Sequence, residues 1–256
     1  MADRPPLFTR RSLLGAGLAL CAPAALRAAS APARSNLMTV GQLQHGGQWD
    51  ARPTAMRRLM WEAGKRTSVE VAPDVMPVTA DNPALFYLPF LYWSADGDFP
   101  PLDAAARAQL NRFITFGGFI LCDSVDGADG SGADGAFRRE LAAIVPGRSV
   151  DVIPREHVIF KSFYLLDRAE GRTVASPDLF GVVADNRVSV VITRNDLGGA
   201  YARDNFGSYL HEVTPGGEPQ RERAFRLGIN LLMYALCLDY KEDQVHIPFI
   251  LKKRRR

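Results

Sequence analysis

A wholly apolar run, Phe119-Ile120-Leu121, constrains the fold of this chain more than any other feature. It follows a stretch, 104–116, whose apolar residues recur at helical spacing, and Asp103 can cap that helix at its start. Gly117-Gly118 then ends the helix. Three consecutive apolar residues directly after a helix are typical of a strand that is covered on both faces, as in a parallel sheet. The segment therefore predicts one repeat unit of an α/β domain.

The same order of elements recurs along the chain. Strands are predicted at 37–43, 67–71 and 90–93, and a helix is predicted from Pro53 to Arg66. Strands that alternate with helices in this way favour a doubly wound α/β domain with a mainly parallel sheet. We expect a single domain over residues 37–252.

The C-terminal third adds two features. Apolar runs at 180–184 and 188–193 flank Asp185-Asn186-Arg187, a combination typical of an antiparallel hairpin with a tight turn. A long apolar helix is predicted over 221–238, and its uninterrupted apolar run is too short to cross a membrane. The predicted fold is thus a mainly parallel α/β sheet with a C-terminal hairpin, a long C-terminal helix and no transmembrane helix in the mature chain.

The N-terminus carries the most specific local motif. Arg10-Arg11 is followed by a polar residue and two leucines, which resembles a twin-arginine export signal. The apolar stretch that comes next is too short for a membrane span, which needs about 20 residues. With Ala29-Ser30-Ala31 as a cleavage site, residues 1–31 are predicted to be a signal peptide and the mature chain to be periplasmic. The alternatives are a flexible basic N-terminus and a lipoprotein anchored through Cys21.

The net charge of +3 is a property of the two chain ends. The first 31 residues carry +3 and the last five residues are all basic, including the tail 253–256, so residues 32–251 carry −5. This distribution gives no support for a nucleic-acid surface. No zinc-ligand spacing and no Gly-rich phosphate motif is present, so neither a metal nor a cofactor is predicted. Cys122 and Cys237 lie in apolar runs, and both are expected to be buried.

Polar loops follow three of the predicted strands, where open α/β sheets usually bind their ligands. We expect these loops to converge at one edge of the sheet, although Asp, Asn and Gly are also ordinary turn residues. A group of carboxylates there needs a cation to balance it. The ligand-binding candidates are Asp96, Asp123, Asn195 and Asp196, with Arg52 and Arg138 as the balancing cations.

Cys122 and Ser124 are the candidate nucleophiles, with His157 as their base. Cys122 ends a predicted strand, where an α/β fold can present a nucleophile. However, the neighbouring residues lack the glycines of a nucleophile elbow, and the adjacent Asp123 tends to raise the pKa of the thiol. A buried structural cysteine is therefore the favoured interpretation.

Six segments, in their order along the chain, carry a family resemblance: Trp49-Asp50-Ala51-Arg52-Pro53, Phe90 to Phe99, Gly117 to Asp123, Phe137-Arg138-Arg139-Glu140, Arg194 to Gly198, and Asp243 to Phe249. Together they resemble an uncharacterised bacterial family, the domain of unknown function DUF4159, over about 37–252. The resemblance implies a flavodoxin-like fold related to class I glutamine amidotransferases, and no established activity. Members of the family often accompany AAA-type ATPases and von Willebrand-type adhesion domains, which implies an envelope-associated assembly.

Two classes of function follow from these observations. The first is a non-catalytic module of the cell envelope that binds a ligand or a protein partner. The second is a hydrolase of amide or glycan substrates whose active site is the crevice between the polar loops at the carboxyl ends of the strands. The absence of a recognisable nucleophile elbow, metal cluster and phosphate loop favours the first.

Overall fold

A computed structural model describes residues 37–184 and 187–253 of the chain. The predicted signal peptide, most of the predicted hairpin turn and all but the first residue of the basic tail lie outside these ranges. Within them, no helix is both long enough and apolar enough to cross a bilayer.

The core of the molecule is a seven-stranded sheet in the order β2-β1-β3-β4-β7-β6-β5. All pairings from β2 to β7 are parallel, and β6 and β5 add an antiparallel edge. The strands are β1 (Val40–Leu43), β2 (Met76–Val78), β3 (Phe90–Ala95), β4 (Phe119–Ser124), β5 (Asp151–Val152), β6 (Phe180–Ala184) and β7 (Arg187–Thr193). The helices are α1 (Ala55–Arg66), α2 (Ala104–Thr115), α3 (Gly132–Ile144), α4 (Leu197–Tyr201) and α5 (Gly217–Lys253). This architecture confirms the predicted fold class and is compatible with a flavodoxin-like arrangement.

The central strand β4 is buried on both faces because helices cover each side of the sheet. Phe119 and Leu121 pack in a core with residues of α1, α4 and α5, whereas Ile120 and Cys122 pack in a second core with residues of α2 and α3. Successive side chains of a strand point to opposite faces. Asp123 therefore points toward α4, and Ser124 points toward α3.

Two local predictions are wrong. Residues 67–71 form only one isolated bridge, between Met38 and Val71, and the edge strand lies instead at β2, just beyond Pro73. Cys237, which was predicted to be buried, is exposed, whereas Cys122 is buried as predicted. Both thiols are free.

Candidate functional site

Asp123, the residue before the last one of the central strand β4, is fully buried. It accepts hydrogen bonds from Tyr92 Oη at 2.7 Å, from the backbone N–H of Leu197 at 2.9 Å and from that of Gly198 at 2.8 Å. Burial, reinforced by the charge of Asp196, raises the pKa of Asp123 to about 6, although the three hydrogen bonds oppose the shift. The carboxylate thus ties β4 to β3 and to the first turn of α4.

Asp196 lies beside it with its backbone in the left-handed region, at φ +50°. Its carboxylate accepts from its own helix, from the Gly199 N–H at 2.9 Å. Arg52 donates to both carboxylate oxygens, with Nε at 3.1 Å and Nη2 at 2.7 Å, and Arg172 donates from Nε. Two guanidinium groups therefore cover one buried carboxylate. We call Tyr92, Asp123, Asp196, Arg52 and Arg172 the strand-end cluster.

Gly198 allows the loop after β7 to lie directly on this cluster. A Cβ at this position would stand 2.5 Å from Tyr92 Oη and 3.0 Å from Arg52 Cβ, closer than packed atoms come. The loop therefore closes the cluster above Asp123. The accessible part is the rim, where the side chains of Arg52 and Arg172 are 13% and 28% exposed.

Asn195 has a structural position in this loop. Its side-chain amide donates to the carbonyls of Ser176 at 2.7 Å and Ala169 at 3.2 Å, and its oxygen accepts from the Ser176 N–H at 2.9 Å. The backbone N–H of Arg172 in turn donates to the Asp196 carbonyl at 3.0 Å. The buried Asn195 thus holds the segment 169–176, and this segment carries Arg172 to the rim.

Two of the candidate residues lie away from the cluster. Asp96 is exposed at the end of β3, and no hydrogen bond or ion pair joins it to Asp123 or Asp196 within the described ranges. Arg138 donates to Asp134 on its own helix at 2.9 Å and lies 4.9 Å from the centre of the Phe180 ring. The cations that balance Asp196 are therefore Arg52 and Arg172, and Arg138 is not one of them.

The two candidate nucleophiles are on the other face of β4. Cys122 is fully buried, and burial first, then the charges of Asp134 and Asp123, raises the pKa of its thiol well above its ordinary value. Ser124 is also fully buried, and its hydroxyl donates to Asp126 Oδ1 at 2.6 Å. Neither group is exposed to a substrate, and the thiolate is strongly disfavoured.

His157, the candidate base, lies at the opposite end of the sheet. It caps a 3₁₀ turn at Val158–Lys161 by accepting from the Ile159 N–H at 3.2 Å, and it lines a cavity of about 240 Å³ together with Val188. Val188 is near the start of β7, whereas Cys122 pairs with Ile192, four residues further along the strand. Four residues of strand span roughly 13 Å. His157 therefore does not reach Cys122 or Ser124, and no nucleophile–base pair is assembled from these residues.

Tyr92 and Arg172 are the members of the cluster that sequence reasoning missed. Tyr92 lies in an apolar strand and resembles an ordinary core residue, although it alternates onto the same face as Asp123 on the neighbouring strand. Arg172 lies in a loop with no periodic pattern, so nothing in the local sequence distinguishes it. No group of three His, Cys, Asp or Glu side chains in the described part of the chain could hold a metal ion. The partly exposed arginines of the cluster suit an anion instead.

Comparison with known proteins agrees with the family resemblance. No curated protein matches the chain. The family model described as "Domain of unknown function (DUF4159)" matches residues 39–236, which include every strand of the sheet and every member of the strand-end cluster. The chain therefore belongs to the DUF4159 family.

Proposed function

We propose that this chain is an exported, non-catalytic module of the bacterial cell envelope that binds an anionic ligand at the rim of the strand-end cluster. The twin-arginine motif at Arg10-Arg11 supports export. The burial of Cys122 and Ser124, and their separation from His157, support a binding role over the alternative of a hydrolase.

One observation carries the proposal, the position of the Arg172 guanidinium. Its Nε is held by the buried Asp196, whereas Nη1 and Nη2 have no protein acceptor among the described residues. A guanidinium fixed on one side presents its remaining N–H groups in a planar fork, which matches a carboxylate or phosphate group. The rim is therefore a preorganised receptor for an oxyanion.

Neighbouring charges make this receptor dependent on pH. At neutral pH the two positive charges of Arg52 and Arg172 are balanced by those of Asp196 and, behind it, Asp123. His211 adjoins them: burial, and then the charges of Arg52, Arg172 and Arg221 against that of Asp196, lowers its pKa. Asp123 lies behind the rim and takes up a proton near pH 6. The cluster is therefore expected to become net positive, and its affinity for an anion to rise, as the pH falls through 6.

A titration of the purified chain with inorganic phosphate and with citrate tests the binding role. We expect Arg172→Gln to weaken binding of at least one of these anions about tenfold or more, and Arg172→Lys to weaken it less, because lysine keeps the charge and loses the fork. Arg57→Gln is the matched control, because Arg57 is exposed and stands 4.0 Å from Asp74 in a loose pair. Equal affinities in Arg172→Gln and wild type would contradict the proposal.

Complementation of a deletion strain tests the absence of catalysis. The variants Cys122→Ala and Ser124→Ala should restore the wild-type phenotype, whereas Arg172→Gln should not. If either of the first two fails while its export and melting temperature are unchanged, the hydrolase becomes the better interpretation.

A further inference from the structure

Three exposed aromatic rings and an arginine lie together at the end of the sheet opposite the strand-end cluster. Phe86 and Tyr87 end a 3₁₀ segment just before β3, and Phe116 follows α2 just before β4. Because β3 and β4 are parallel, both segments lie at the amino ends of these strands. We call Phe86, Tyr87, Arg112 and Phe116 the amino-end patch.

Phe86, Arg112 and Phe116 contact one another, Tyr87 adjoins Phe86 in sequence, and all four side chains remain accessible. The rings of Phe86 and Phe116 meet edge to face, with their centroids 6.1 Å apart. The guanidinium carbon of Arg112 lies 5.5 Å from the first centroid and 5.8 Å from the second. Phe86, Tyr87 and Phe116 are 38%, 62% and 64% exposed. Single exposed apolar residues are ordinary, but an adjoining set is typical of an interaction site.

The framework under the patch is rigid. Leu85 is fully buried and anchors the 3₁₀ segment. Asn82 caps the start of this segment, where its Oδ1 accepts from the Ala84 N–H at 2.9 Å. Phe113 and Ile114 bury the last turn of α2, and Arg187 donates to the Gly117 carbonyl at 3.1 Å. A packed core thus holds the rings outward. Binding of a partner would therefore cost little conformational entropy in these rings.

We propose that the amino-end patch docks a segment of a partner protein that presents a carboxylate beside an apolar side chain. Arg112 is exposed and forms neither a hydrogen bond nor an ion pair with any carboxylate in the described part of the chain. A partner carboxylate can pair with this guanidinium while the adjacent apolar side chain packs on the rings. Aromatic residues and arginine are the residue types that dominate binding energy at protein interfaces.

Charge complementarity favours an acidic partner over a two-fold dimer of this chain and over its two basic ends. A two-fold dimer through the patch would bring two Arg112 charges into one interface, and the patch itself contains no carboxylate to balance them. The first 36 residues carry five arginines against one aspartate, and the last five residues are all basic. Both chain ends are thus net positive, so we do not expect either of them to supply the carboxylate that pairs with Arg112.

Selection of phage-displayed random dodecapeptides on the purified full chain tests the proposal. We expect the enriched peptides to combine acidic and apolar residues, and to lose affinity about tenfold or more on Phe116→Ser and on Arg112→Glu. The matched controls are Trp61→Ser and Lys65→Glu, because Lys65 Nζ lies 4.7 Å from the centre of the exposed Trp61 ring on another face. Both controls should bind like wild type, and all four variants should show the wild-type circular dichroism.

Three results would overturn the inference. The first is a set of enriched peptides that is retained equally by Phe116→Ser and wild type, or that lacks acidic residues. The second is a dimer in sedimentation that Phe116→Ser abolishes, which would make a second copy the occupant. The third is binding to phosphatidylglycerol vesicles that depends on Phe116 and Arg112, which would make the patch a membrane contact.

Discussion

Replacing Asp123 with asparagine separates the electrostatic cost of this carboxylate from the hydrogen bonds that it accepts. Burial, and then the charge of Asp196, raises the pKa of Asp123 to about 6 from 3.8. Between about pH 4 and pH 6 the folded protein therefore holds a proton that the unfolded chain has lost. The stabilisation that comes from this proton is complete below about pH 4, and it is lost as the pH rises from about 4 to about 6. The loss corresponds to about 3 kcal/mol in the free energy of unfolding.

The Asp123→Asn variant lacks this titration. An amide has one acceptor oxygen where the carboxylate has two, so its nitrogen must face at least one of the donors Tyr92 Oη, Leu197 N–H and Gly198 N–H. Leaving a buried donor without a partner costs about 1–3 kcal/mol at every pH. The variant should thus be less stable than wild type near pH 4, and should gain about 3 kcal/mol relative to it by about pH 7.5.

Guanidinium unfolding of both proteins across this pH range measures the difference directly. Asp74→Asn is the control, because Asp74 is exposed and its variant should follow wild type throughout. A difference that stays constant with pH would refute the reasoning. A stability advantage of wild type that grows as the pH rises would also refute it. In that case the hydrogen bonds would outweigh burial and keep Asp123 ionised.

Three further predictions address the core, the thiols and export. Ile120→Asp should abolish the folded state, because burying an unpaired carboxylate in the central strand costs several kcal/mol, and a soluble variant with an unchanged melting temperature would contradict this. Peptide mapping after treatment of the native chain with a thiol reagent should find Cys237 modified and Cys122 intact, and modification of both would show that the core is more open than described. Lysine at both Arg10 and Arg11 should leave uncleaved precursor in the cytoplasm, and normal processing would exclude the twin-arginine route.

The fold was predictable wherever burial leaves an unambiguous pattern. Three consecutive apolar residues in β4 require cover on both faces, and the helix before them has a cap and a glycine end. The edge strand β2 was not predictable, because two of its three residues are exposed and Pro77 lies in its middle. A β-branched run at 67–71 gives the stronger local signal, but the sheet pairs with β2 instead. Local propensity decides little at an edge where few side chains are buried.

The site was predictable only in part, and for a related reason. The carboxyl ends of parallel strands meet, so Asp123 and Asp196 could be expected near one another from the order of the strands. Their burial could not be expected, because it depends on the contact between Gly198 and Tyr92 across more than 100 residues of chain. The position of Arg172 depends on Asn195, whose hydrogen bonds to a distant loop leave no trace in the local sequence.

The position of β4 between β3 and β7 has a consequence for synthesis of the protein on the ribosome. Its partner on one side, β3, is already made when β4 emerges, but its partner on the other side ends at Thr193, about 70 residues later. At roughly 5–20 residues per second, the nascent chain presents the open edge of its central strand for several seconds. Demand for chaperones should therefore be concentrated in this interval. Nascent chains halted after α3 should bind chaperones more strongly than chains halted after α5, in which β7 has closed that edge.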